Sequence, residues 1–115
     1  MEEKMAVYSN IVVDQGSSYT ASIDVTDTDG DNINLTGYTA AGQIRKTYSS
    51  STAVDFATAI ANPTSGVLTI SLTATQTNAM KAGRYVYDVE ITQTSSGAVT
   101  RVLEGQVEVT PGVTQ

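Results

Sequence analysis

The sequence predicts a single all-β domain, an antiparallel β-sandwich of about seven strands with one short helix. Apolar residues alternate with polar ones along several segments, as they do in half-buried strands. Turn-forming residues separate these segments at short intervals. At 115 residues, the chain can bury one modest core but not two. We expect residues 11–110 to form the domain, between a flexible N-terminal arm (1–10) and a C-terminal tail (111–115).

Each alternating segment supplies one row of side chains for the core. The inward rows are Tyr19, Ala21, Ile23 and Val25; Tyr38, Ala40, Gly42 and Ile44; Val54, Phe56 and Ile60, which we expect to lie in one strand; Leu68, Ile70 and Leu72; Tyr85, Tyr87, Val89 and Ile91; and Leu103, Gly105, Val107 and Val109. The intervening residues are mostly polar. This pattern is typical of antiparallel sheets that have one face in the core and the other in solvent.

The register of the flanking strands decides the first hairpin turn, in the segment DVTDTDGDNINLTGY (residues 24–38). A three-residue loop, 28–30, pairs Val25 with Ile33 and Ile23 with Leu35 on one face. A two-residue loop would shift the pairing by one residue, so that the apolar side chains of one strand would lie on the opposite face of the sheet from those of its neighbour. Gly30 then occupies the left-handed position of the loop and should have a positive φ.

The aspartates of this segment also resemble a calcium loop in composition. An EF-hand with Gly30 at position six would place Val25 at position one and Thr36 at position twelve, and neither supplies the required carboxylate. We therefore expect no metal site. A weaker site of another kind, formed by Asp27, Asp29 and Asp31, stays open as the alternative.

A second hairpin is predicted at TSSGA, with residues 95–97 as a three-residue loop and Gly97 at positive φ. This register pairs Val89 with Leu103, Tyr85 with Val107, and Tyr87 with Gly105. An aromatic ring that covers a glycine of the neighbouring strand stabilises the pair.

One helix is predicted over residues 73–82. Thr73 and Gln76 have the spacing of a capping box, and Gly83 can end the helix. We expect Ala79 and Met80 to face the core. A bend of this kind before a strand is similar to the E–F corner of immunoglobulin domains, where a tyrosine hydroxyl bonds back to the preceding backbone. Tyr85 has the position for that role, and plain core packing of its ring is the alternative.

The composition disfavours several classes of function. The chain has no histidine and no cysteine, and so lacks the commonest general base, metal ligand and thiol nucleophile. Its net charge of −6 and six scattered basic residues disfavour nucleic-acid binding. No apolar run approaches the roughly 18 residues of a membrane span. Carboxylate pairs on two strands have the residue types that a glycosidase uses, but charges on the outer face of a strand are more typical of solvent exposure. We expect the protein not to be an enzyme, and to have no catalytic residues, no cofactor and no small-molecule substrate.

Three segments together resemble a known group of viral proteins. They read VDQGSSYTASIDVTDTDGDNINLTGYTAAGQIRK, SGVLTISLTATQTNAMKAGRYVYDVEIT and GAVTRVLEGQVEVTPGVT, and they extend from about Ile11 to Thr114. The pattern is similar to the immunoglobulin-like N-terminal module of tailed-phage baseplate upper proteins, and to short structural proteins of T4-like cyanophages. The larger members carry further domains that have no counterpart in these 115 residues, so we do not expect their adaptor function to apply as a whole.

The resemblance implies an immunoglobulin-like sandwich that is synthesised in the host cytoplasm and incorporated into a virion. The role would be structural, as a capsid decoration protein or a neck, tail or baseplate component. Its partners would be other virion proteins and copies of itself. Tyr8 and Tyr48 are the candidate contact residues, because the other tyrosines are assigned to inward strand faces. A host-surface or carbohydrate-binding module is the alternative function.

Overall fold

The computed structural model describes residues 7–26, 30–50 and 53–112. These ranges contain nine strands and one helix: β1 (Val7–Tyr8), β2 (Ile11–Asp14), β3 (Tyr19–Asp24), β4 (Tyr38–Arg45), β5 (Val54–Asp55), β6 (Ala57–Asn62), β7 (Val67–Leu72), α1 (Ala74–Ala79), β8 (Gly83–Gln93) and β9 (Val99–Thr110). Seven of these strands have four or more residues, which confirms the predicted all-β class. Residues 1–6 of the predicted arm and 113–115 of the predicted tail lie outside the described ranges.

The strands form two sheets with the connectivity of an immunoglobulin-like sandwich. The larger sheet has the order β1-β9-β8-β4-β5, with β2 also paired to β9, and the smaller one has the order β3-β7-β6. These orders correspond to strands A′-G-F-C-C′ and B-E-D of an immunoglobulin domain. β1 and β2 both run parallel to β9, whereas the other described strand pairs are antiparallel.

The core lies between the two sheets and is built mainly from the predicted inward rows, although Val13 and Val102 are also buried and were not predicted to be. Its buried members are Val13, Val25, Leu35, Ile44, Phe56, Leu68, Ile70, Leu72, Met80, Tyr87, Val89, Ile91, Val102, Leu103, Val107 and Val109. The rings of Phe56 and Tyr87 meet edge to face with centroids 6.0 Å apart. This aromatic contact adds to the packing of the core. The burial of aliphatic side chains from both sheets supplies most of the stabilisation.

The segment that we expected to be one strand through Val54, Phe56 and Ile60 is two strands. β5 pairs with β4 in the larger sheet, whereas β6 pairs with β7 in the smaller one. The chain crosses at Phe56, whose N–H donates to the carbonyl of Gly42 (3.0 Å). Burial of the Phe56 ring between the sheets places the crossing at this residue.

The helix is shorter than predicted. Its capping box forms as expected, with the Thr73 hydroxyl accepting from the Gln76 N–H (3.1 Å) and the Gln76 side chain accepting from the Thr73 N–H (2.9 Å). It ends at Ala79, however, with an extended Met80 as its C-cap, and Gly83 instead begins β8. The expectation that Gly83 ends the helix was therefore wrong.

The buried face of α1 also differs from the prediction. Met80 is buried as expected, but Ala79 is exposed, and the fully buried residue is Thr77. The Thr77 hydroxyl donates to the Ser17 carbonyl (2.8 Å) and accepts from the Gly16 N–H (3.0 Å). The helix thus packs on the turn between β2 and β3 through a polar contact, which apolar periodicity does not reveal.

The first hairpin has the predicted register near its turn. Thr26 pairs with Asn32, the Ile33 N–H donates to the Val25 carbonyl (2.9 Å), and Gly30 has a φ of 87°. The pairing does not extend to Ile23 and Leu35. β3 pairs with β7 instead, and the Leu35 N–H donates to the carbonyl of Pro63 (2.6 Å).

The second hairpin has the predicted register only beyond a bulge. Tyr87 pairs with Gly105 and Val89 with Leu103, and Gly97 has a φ of 74°. From Glu90 to the turn, the pairing is shifted by one residue, so that the loop contains four residues, 94–97. The predicted three-residue loop was therefore wrong. The shift arises from a bulge in β9, where the consecutive residues Val102 and Leu103 are both buried.

Candidate protein-contact surface

The N-terminal segment lies along the free edge of β9, and its carbonyl at Ser9 explains the glycine at position 105. The Ser9 N–H donates to the Glu104 carbonyl (2.8 Å), and the Ser9 carbonyl accepts a hydrogen bond from the Tyr87 hydroxyl (2.6 Å). A Cβ atom at Gly105 would collide with that same oxygen. Residues 7–10 of the predicted arm are therefore attached to the larger sheet.

Two predicted structural tyrosines have distinct environments. Burial raises the pKa of the Tyr87 hydroxyl to about 12, with a smaller opposing effect from its bond to Ser9. The Tyr85 hydroxyl donates to the Lys81 carbonyl (2.7 Å), four residues upstream, which is the tyrosine-corner contact that its position suggested. The ammonium group of Lys46 lies 4.7 Å from the centre of the Tyr85 ring.

The solvent-facing side of β4, β8 and β9 forms a broad polar surface, which we call the outer face. Its residues include Ala41, Gln43, Arg45, Val86, Asp88, Glu90, Arg101, Glu104, Gln106 and Glu108. Asp88 and Glu104 lie directly opposite each other on adjacent strands, where two carboxylates repel. Arg101 contacts both, with Nε 3.3 Å from Asp88 Oδ2 and Nη1 3.5 Å from Glu104 Oε1. The β9 bulge makes this possible because it moves Arg101 onto the same side as Glu104.

A second polar network orders the β4 edge of the outer face. The Gln43 amide donates to Asp55 Oδ1 (2.8 Å) and accepts from the Arg45 guanidinium (2.8 Å). Arg45 also donates to the carbonyl of Ser50, in the loop that carries Tyr48. The guanidinium therefore ties the position of this loop to the sheet.

The four exposed large hydrophobic side chains of the described residues all border the outer face. They are Tyr8, Val12, Tyr48 and Val99, each 56–79 % exposed. Tyr8 pairs with Glu104 and Val12 with Glu108 along β9, and Val99 pairs with Thr92 of β8. Tyr48 lines a depression of about 300 Å³ together with Arg45, Glu90 and Arg101. Aromatic and arginine side chains are enriched at protein interfaces, so this surface is a candidate contact site.

The depressions along this face differ in size. Besides the one at Tyr48, they have volumes of about 540 Å³ beside Phe56 and Glu90 and about 120 Å³ beside Val12, and all are open to solvent. Among the described residues, no three potential ligands are grouped as a metal site requires. Asp27 and Asp29 of the alternative calcium site lie outside the described ranges, so only Asp31 has a described position. No helix in the described part of the chain could span a membrane.

Sequence reasoning identified Tyr8 and Tyr48 but missed Val12, Val99 and Arg101 as members of this surface. The run Ile11-Val12-Val13 could have identified Val12. Only alternate residues of a strand can face the core, so three consecutive apolar residues leave at least one of them on the outer side. Arg101 had no such signal, because its side of the sheet depends on the bulge.

Comparison with known proteins adds a likeness of fold. No protein-family model matches the sequence, and no curated protein matches it. The chain is similar in structure to InlP of Listeria monocytogenes (TM-score 0.48, 15 % identity, 91 % of this chain and 28 % of that one). It is also similar to the NK cell receptor Nkp44 (TM-score 0.47, 14 % identity, 93 % of this chain and 100 % of that one). A third similar structure is a family 123 glycoside hydrolase from Clostridium perfringens (TM-score 0.42, 16 % identity, 94 % of this chain and 24 % of that one). This chain spans about a quarter of the length of InlP and of the hydrolase.

Proposed function

We propose that this protein is a non-enzymatic structural component of a tailed-phage virion, either a capsid decoration protein or a part of the neck, tail or baseplate. It acts through protein–protein contacts made by the outer face, and its partners are other virion proteins and copies of itself. It is synthesised in the host cytoplasm and resides in the particle.

The observation that carries the contact role is the grouping of Tyr8, Val12, Tyr48 and Val99 around one sheet face. Exposed apolar side chains scattered at random would need no explanation, but four around a single ordered face support a role for that face in binding. The resemblance of three long segments to phage structural proteins supports the virion as its location.

Oxidative footprinting tests this proposal by comparing purified particles of the encoding phage with the isolated protein. In the particle, Tyr8 and Tyr48 should react more slowly with hydroxyl radicals than they do in the free domain, since an interface excludes water from them. Tyr87 is the internal control, because it is buried in the isolated domain. Equal reactivity of Tyr8 and Tyr48 in the two samples, or absence of the protein from the particle, would overturn the proposal.

Glycan binding is the second candidate function, and the depression at Tyr48 favours it. An exposed aromatic ring beside Arg45 and Glu90 offers both a stacking surface and hydrogen-bonding groups for a sugar. Titration of the isolated protein with host-surface oligosaccharides distinguishes the two functions. Saturable binding that Tyr48→Ala abolishes would favour the glycan module, whereas no binding would favour the structural role.

A further inference from the structure

The outer edge of β3 differs from the other strand edges of the described residues. β3 lies at one side of the smaller sheet and pairs with β7 over six residues without a bulge. It contains no proline, glycine or lysine, which are common protections against edge-to-edge pairing. The other edges are interrupted. β5 has two residues, β6 has a register shift, and residues 9–10 separate β1 from β2.

The backbone groups on this edge can be assigned from the register. The Val25 N–H donates to the Gly66 carbonyl (2.8 Å), at the end of the β3–β7 pairing. Because N–H and C=O groups alternate in direction along a strand, Thr20, Ser22 and Asp24 present theirs away from β7. The side chains of these three residues are exposed, whereas the intervening Ala21 and Ile23 are only half-buried. A partner strand would therefore satisfy polar groups and cover apolar ones.

We infer that β3 is a self-association edge, at which two copies pair their β3 strands antiparallel about a two-fold axis through Ser22. This joins two three-stranded sheets into one of six strands, with about six backbone hydrogen bonds between the copies. The inference goes beyond the proposed function, since it concerns a different surface and applies to the isolated protein.

The side chains favour this register over one with the axis at Asp24. Thr20 lies opposite Asp24 of the second copy, so its hydroxyl can donate to that carboxylate, and the contact occurs twice. The two Asp24 carboxylates stay apart, whereas a shift of the axis to Asp24 would place them face to face, which is destabilising. On the inner side, Ala21 meets Ile23 of the second copy. The occupant that fits this edge is therefore another copy of the same strand.

Single-cysteine variants test the register, because the chain has no native cysteine. In Ser22→Cys the two Cα atoms across the axis are about 5.5 Å apart, within the range that a disulfide spans. In Thr20→Cys, on the same edge, the two cysteines are offset by four residues, or roughly 13 Å. Under mild oxidation we expect S22C, but not T20C, to form a covalent dimer. Equal cross-linking of both variants, or of neither, would refute the inference.

Charge variants provide an independent test by sedimentation velocity. Each of the three variants adds one positive charge, so net charge is matched. Ser22→Lys places two ammonium groups opposite each other at the axis, and their repulsion should abolish the dimer. Thr20→Lys meets Asp24 and should tighten dimerisation about fivefold at low salt. Ser95→Lys, at an exposed position in the loop between β8 and β9, should behave as wild type. A wild-type protein that stays monomeric at all concentrations, or three variants that behave alike, would contradict the inference. Far-UV circular dichroism verifies that each variant is folded.

Discussion

Substitution of Gly105 by alanine should break the attachment of the N-terminal segment to the sheet. The added methyl group would collide with the Ser9 carbonyl oxygen, which is backbone and cannot rotate aside. The segment must therefore move, and two hydrogen bonds of Ser9 are lost: its N–H to Glu104, and its carbonyl to the Tyr87 hydroxyl.

The expected cost follows from those two bonds. The backbone bond contributes about 1 kcal/mol, and a buried hydroxyl left without an acceptor costs about 1–3 kcal/mol. Tyr87 is only 3 % exposed, so water cannot easily replace Ser9. We expect Gly105→Ala to lower the free energy of unfolding by about 3 kcal/mol.

Urea unfolding followed by circular dichroism measures this change, since the chain has no tryptophan. Gly97→Ala is the matched control. Its glycine also has a positive φ, but nothing lies within 4 Å of the added methyl group, so only the backbone strain of about 1 kcal/mol remains. Tyr87→Phe should be less than additive with Gly105→Ala, because both act through the Ser9 carbonyl. If G105A costs no more than G97A, the proposed contact with Ser9 is not what requires glycine.

Three further predictions concern the helix, the pH dependence and the aspartate segment. Thr77→Val should cost about 2–3 kcal/mol by urea unfolding, because two backbone groups of the β2–β3 turn lose their partner, whereas Thr75→Val on the exposed side of α1 should be nearly neutral. The unfolded chain loses the Tyr87 proton near pH 10 and the folded protein near pH 12, so stability should fall between these values by about 1.4 kcal/mol per unit, and Tyr87→Phe should flatten that slope. Thermal melts with and without millimolar calcium should agree, because a site occupied only in the folded state would raise the melting temperature. A shift of several degrees would instead support the site at residues 27–31.

The sequence predicts the sandwich well because its strands have one apolar and one polar face. Ile44, Ile70, Val89 and Val107, one from each of four predicted inward rows, are buried as expected. Such patterning excludes a register that is shifted by one residue, since that slip would expose the whole row. A slip of two residues keeps the faces, so the pairing of Tyr87 with Gly105 was predicted from the loop length as well, and the β9 bulge compensates for the error in that length.

The departures share a different physical cause, which is that local patterns do not report long-range backbone contacts. Phe56 ends one strand and precedes another because its ring is buried between the sheets, and no residue near it signals a break. The β9 bulge reverses the side of Arg101, so no alternation count could place it beside Asp88. Thr77 is buried for its hydrogen bonds to a turn that lies 60 residues away in sequence.

The candidate contact surface was the least predictable part, because it combines residues from distant segments. Tyr8 was found by elimination, as a tyrosine without an inward strand position. Its grouping with Val12 and Val99 depends on the parallel pairing of β1 and β2 with β9, and this pairing has no signature in either strand alone.

Quantitative mass spectrometry of purified particles tests the virion role most directly, by counting this chain against the major capsid protein. A fixed copy number is the predicted result. Hundreds of copies would indicate a capsid decoration protein, and a few or a few tens in multiples of three, six or twelve would indicate the neck, tail or baseplate. Absence of the chain from particles of the encoding phage would contradict the structural role.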